Sequence, residues 1–146
     1  MAKYEYNDGG REAAGFKGSA GDCAVRALSI VTGREYNEVY KTVGEFCKLE
    51  KPSKSRRGIS SPRKGVHRVT FDKIAEHYGL EWVGIMKVGQ GVTVHVKADE
   101  LPRGRMVLNL SRHFAAYCDG VVYDTHNPSR GGSRAVYGYW IAKGGK

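Results

Sequence analysis

Three features of this chain predict an α+β fold. Apolar residues recur at helical spacing up to Tyr78, they alternate at strand spacing beyond Gly79, and an Asp119-Gly120 dipeptide separates two of the strand-like runs. Helices first and hairpin-connected strands afterwards build a layer of helices on an antiparallel sheet, since each amphipathic face needs another element to cover it. With 146 residues, one domain covering 1–146 is expected, without internal repeats.

The elements follow in chain order. The first twenty residues carry Gly9, Gly10, Gly15 and Gly18 and are expected to be irregular. Asp22 is placed to cap a helix whose first turn holds Cys23, with Gly33 as its stop. A second helix is expected from Asn37 to Leu49, because Val39, Tyr40, Val43, Phe46 and Cys47 repeat at spacings of three and four. Thr70 would cap a third, from Phe71 to Tyr78. Strands are then expected at Glu81–Met86, Val92–Val96, Arg105–Leu110, on both sides of Asp119-Gly120, and at Ala135–Ile141.

The net charge of +9 is concentrated. Between Lys48 and Arg68 lie eight basic residues against one acid, Glu50, together with two prolines, two glycines and four serines. That composition predicts a basic loop at about 50–68. Arg56, Arg57, Arg63 and Lys64 are its candidates for contacting an acidic protein or nucleic acid. No recognised nucleic-acid motif accompanies them, and aromatic residues are not interleaved with the basic run. No apolar run approaches the ~20 residues of a membrane helix, and the N-terminus lacks the apolar segment of a signal peptide. The three cysteines match no zinc spacing, so free thiols, no metal, no cofactor and a cytoplasmic setting are expected.

The chemistry concentrates at Cys23, His113 and Asp124. A thiol in the first turn of a helix is acidified by unpaired amides and the helix dipole. With Asp119-Gly120 as a two-residue turn, Cys118 faces Val121, Asp124 faces Ala115 and His126 faces His113. His113 and Asp124 then lie on one face as diagonal neighbours, while Phe114, Ala116 and Cys118 face a core. Cys47 and Cys118 read as small core residues. His126 is a neighbour or an alternative base, and Asn127 an alternative orienting amide. A thiol, an imidazole and an acid so arranged suit acyl transfer to sulfur through a thioester, followed by hydrolysis.

The order of these residues resembles the papain-like cysteine peptidase superfamily, and is most similar to its small members, the bacteriocin leader-processing peptidases and related prokaryotic and phage proteins. The segments carrying the likeness are Gly21 to Leu28, and Ser111 to Tyr117 continuing through Asp119-Gly120 to Asp124. The resemblance implies a papain-like domain, a Cys-His-Asp triad, a peptide or protein substrate and a bacterial or phage-infected host cell. It departs at the glutamine that the superfamily places ahead of the cysteine to hold the oxyanion. That position is Lys17 here, and Lys17, Ser19 or Asn7 is left as the donor beside the Cys23 amide. The expected activity is therefore that of a cysteine hydrolase, a peptidase, isopeptidase or amidase. Two alternatives stand beside it: an inactive papain-like scaffold binding an acidic partner through the basic loop, and a transglutaminase or acyltransferase.

Overall fold

In the computed structural model, which describes residues 3–15, 22–50, 60–63, 65–85, 94–97 and 99–142, three helices pack on a six-stranded mixed sheet. The elements in order are β1 (Lys3–Tyr6), α1 (Cys23–Thr32), α2 (Tyr36–Lys48), α3 (Arg68–His77), β2 (Leu80–Gly84), β3 (Arg105–Leu110), β4 (His113–Cys118), β5 (Val121–Asp124) and β6 (Gly138–Ala142). The strand order is β1-β5-β4-β3-β6-β2, antiparallel throughout except for the parallel pair β1 and β5.

Both faces of the sheet are buried. On one, Val107, Ala116 and Trp140 meet the apolar stripes of the helices: Val25 and Leu28 from α1, Val39 and Val43 from α2, Phe71 and Ile74 from α3. Phe71 stacks on Phe114 with centroids 4.2 Å apart and leans on Trp140 at 4.5 Å, which ties α3 to β4 and β6. On the other face Met106, Leu108, Ala115, Tyr117 and Val122 are covered by the loop residues Val96, Leu101 and Val136. The expectation that one face of the hairpin would take the core is thus half of the result. Phe114 and Ala116 do face the helices, but Ala115 and Tyr117 have a core of their own, and Cys118 is half-buried beside Asp119.

Several boundaries differ from expectation, each for a local reason. The N-terminal segment is not wholly irregular, because Lys3–Tyr6 adds a parallel strand to β5. Gly9 then crosses α1 so closely that a Cβ there would lie 2.9 Å from the Arg26 carbonyl oxygen. α3 begins at Arg68, capped by extended His67, while the Thr70 hydroxyl donates to Glu50 rather than to the helix end. Residues 86–93 lie outside the described set, and of the expected Val92–Val96 strand the remainder makes an isolated bridge between His95 and Ala135. The bridge bonds run from Val96 N to Arg134 O and from Val136 N to Val94 O, while the His95 amide, outside them, donates to Glu100 at 3.1 Å. β6 starts at Gly138, three residues late, because Val136 turns into the second core cluster.

Candidate active site

Cys23 is the first residue of α1, with Asp22 before it, and α1 packs against β4. The αL residue Gly33 closes the helix, its amide bonded to Ser29 O at 3.0 Å. Asp22 does not cap the helix with its side chain. Its carboxylate is buried and acts as a node: Oδ1 accepts from Arg26 Nη1 at 3.0 Å, while Oδ2 accepts from the Tyr36 hydroxyl at 2.5 Å and lies 3.0 Å from Arg11 Nε. A buried carboxylate between two guanidinium groups draws more from them than from a backbone amide. The node fastens the start of α1 to α2 and to the N-terminal segment.

The hairpin has the register expected. Cys118 faces Val121, Tyr117 faces Val122 and Ala116 faces Tyr123. Asp119 and Gly120 take φ of 45° and 90°, the positive values a tight two-residue turn of matching twist requires. Asp124 thereby comes diagonal to His113, and His113 Nε2 lies 2.6 Å from Asp124 Oδ2. The other carboxylate oxygen accepts the Thr125 amide at 2.7 Å and sits 3.8 Å from Arg26 Nη2. The Asp124 carbonyl is held too, by the Asn7 amide at 2.9 Å and the Tyr4 hydroxyl at 3.0 Å. β1, the strand the sequence hides, therefore braces the residue that carries the acid.

Cys23 is brought beside this pair. Its thiol and the His113 ring line the same cleft and each shifts the other's proton affinity, and with Nε2 engaged by Asp124, Nδ1 is the ring nitrogen left to serve the sulfur. Burial pushes the Cys23 thiol up, but the hydrogen bond and charge of His113, the Phe114 amide and the nearby Arg26 outweigh it and hold the thiol below its ordinary value. Burial pulls the His113 ring down, yet its bonds to Asp124 and Cys23 raise it to about 9. Asp124 is pushed up by burial and carried below the usual carboxylate range by His113 and the Thr125 amide. All three directions favour a thiolate, an imidazolium and a carboxylate in a row. The other two sulfurs go the opposite way: burial lifts Cys47 to about 11, and burial with Asp119 lifts Cys118.

The sulfur has a route to solvent. Cys23 and His113 line an open cleft of 540 Å³ between the start of α1, the β3–β4 turn and the segment preceding α3.

Of the remaining residues named from sequence, Lys17, Ser19, Arg56, Arg57 and Lys64 lie outside the described residues. Arg63 is exposed on a small turn closed by backbone bonds between Ser61 and Gly65 of 2.8 and 2.9 Å. His126 is not the strand partner of His113, because β5 ends at Asp124; it is exposed, with its ring centroid 5.1 Å from that of His113. Asn127 does not orient the ring, since its amide oxygen accepts from the Ser129 amide and hydroxyl at 3.1 and 2.7 Å. Ligand atoms of His113, Asp124 and His126 fall within 4.8 Å of one another, a spacing that could also hold a metal ion. Arg26 was missed as a site residue. Its signal was the Asp22–Arg26 spacing of four on one helix, which puts the two charges on the same face.

No family model, curated protein or solved structure matches this chain.

Proposed function

We propose that the protein is a thiol-dependent acyl-transferring enzyme, and within that class a cysteine hydrolase with a papain-like domain, using Cys23, His113 and Asp124 on an amide bond. The observation that carries this reading is the chain of contacts Cys23–His113–Asp124 opening on a cleft.

The Cys23 thiolate attacks the carbonyl carbon of the amide. The tetrahedral adduct collapses as the C–N bond breaks, and the imidazolium of His113 gives its proton to the departing nitrogen. A water molecule then loses a proton to the neutral ring while its oxygen attacks the thioester. The acid departs, and the thiolate–imidazolium pair is restored. Asp124, fixed through both oxygens, keeps the ring turned with Nδ1 toward sulfur. The amide of Cys23, in the first turn of α1 where backbone N–H groups have no intrahelical acceptor, is a donor available to the oxyanion.

The test is selective alkylation. Iodoacetamide near neutral pH should modify Cys23 at least ten-fold faster than Cys47 or Cys118, as read by peptide mass mapping, and His113→Ala should erase the difference. Equal labelling of the three sulfurs would end the proposal.

A further inference from the structure

The cationic character of the chain and the candidate active site meet in one wall. Gly65 to Arg68, the end of the basic stretch, forms one side of the cleft, and the β3–β4 turn forms another. Three arginines line it, Arg26, Arg68 and Arg112, and no aspartate or glutamate does so among the described residues.

The three arginines are not equivalent. Arg26 is engaged by Asp22 at 3.0 Å and approaches Asp124 at 3.8 Å. Arg68 is held in place, its guanidinium 3.9 Å above the Trp82 ring and its Nε 3.5 Å from Asp72. Arg112 has neither ion pair nor hydrogen bond among the described residues. It precedes His113 directly and is exposed, with a φ of 55° that an ordinary side chain seldom adopts. The opposed charges of Cys23, His113, Asp124, Asp22, Arg11 and Arg26 balance one another. The uncompensated positive charge at the cleft is that of Arg112, backed by the end of the basic stretch.

We infer that the cleft takes an anionic substrate, one with a carboxylate beside the scissile amide, and that Arg112 receives it. The inference rests on Cys23 being the nucleophile, and its test is built so that the two can fail separately.

The probe pair is iodoacetate and iodoacetamide, alike in size and leaving group and differing in charge. At low salt, the iodoacetate-to-iodoacetamide rate ratio at Cys23 should exceed that of a small free thiol. Arg112→Gly, which removes the charge and suits the backbone, should lower the ratio roughly three-fold, the effect of one charge at ~7 Å in water. Arg112→Lys should restore it, and added salt should depress it in the wild-type chain. Protection of Cys23 by acetylglutamate amide would put the carboxylate on a substrate side chain. Protection by acetylglycine would put it at a chain terminus. Either supports the inference, whereas protection no better than by neutral acetylglutamine amide overturns it. A fast Cys23 whose ratio ignores Arg112→Gly also overturns the anion site while leaving the nucleophile standing. A Cys23 no faster than Cys118 with either reagent removes both.

Discussion

At the scale of single residues, Asp22 organises the candidate site without lining its cleft. A carboxylate that is 1% exposed and faces Arg11, Arg26 and Tyr36 is an ion-pair cluster whose desolvation has already been met by its partners. Removing the anion strands two half-enclosed guanidinium groups. Asp22→Ala should therefore destabilise the chain by about 3–5 kcal/mol in urea unfolding, well above the ~1 kcal/mol of a lost helix cap. A cost near the lower figure would show that the node carries little. The Tyr36 hydroxyl reports the same environment, since burial, with the hydrogen bond and charge of Asp22, raises it well above the ordinary tyrosine value, and Asp22→Ala should bring its ultraviolet titration down. Asp22 also illustrates how a correct position hides a different role. The sequence places an acid ahead of a helix, and only the fold reveals that arginines, not amides, claim it.

At the scale of elements, two helix-and-strand relations hold the site. α1 lies on β4, so that the helix start meets the strand start, and β1 braces β5 at the acid. The far edge of the sheet depends on a close approach: a Cβ on Gly138 of β6 would lie 2.2 Å from Trp82 Cη2 and 2.7 Å from the Val83 carbonyl oxygen. The ring could turn, but the carbonyl is part of the paired β2 and cannot. Gly138→Ala is expected to cost about 1–3 kcal/mol, as overpacking does, and to change the near-ultraviolet dichroism of Trp82 and Trp140, whose rings are 4.6 Å apart. Unchanged melting and dichroism would mean that β2 and β6 pair more loosely than described. The hairpin register was legible because one dipeptide dictates it. β1 was not, because a four-residue strand of mostly exposed side chains, Lys-Tyr-Glu-Tyr, carries no core pattern of its own.

For the whole molecule, the consequence of assembling the pair is a shift in where protons sit. The raised His113 contributes stability in full below about pH 6.5 and loses it as pH rises through about 9. The depressed Cys23 does the reverse: its contribution is complete above the ordinary 9.0 and is lost as pH falls through its lowered value. Between these limits the two oppose, since the folded pair holds its proton on the ring and the unfolded chain holds it on sulfur. Unfolding is thus a poor reporter, and thiolate ultraviolet absorbance a direct one. Folded protein should show one thiolate at neutral pH, lost in Cys23→Ala and displaced to ordinary titration in His113→Ala. Absence of that absorbance below pH 9 would mean a neutral thiol–imidazole pair. No helix among the described residues is long and apolar enough to cross a membrane.

The amino-acid sequence by itself determined the α+β class, the three helices within a few residues, and the hairpin that makes His113 and Asp124 neighbours, because periodicity and a two-residue turn are local properties. The order of residues gave the expectation that Cys23 joins them, but only the tertiary structure brings it there from ninety positions upstream, and it alone decided that Asp22 and Arg26 bind the helix to the acid and that the end of the basic stretch walls the cleft. Those contacts depend on how helices settle on a sheet, and packing of that kind leaves no periodic trace in the chain that forms it.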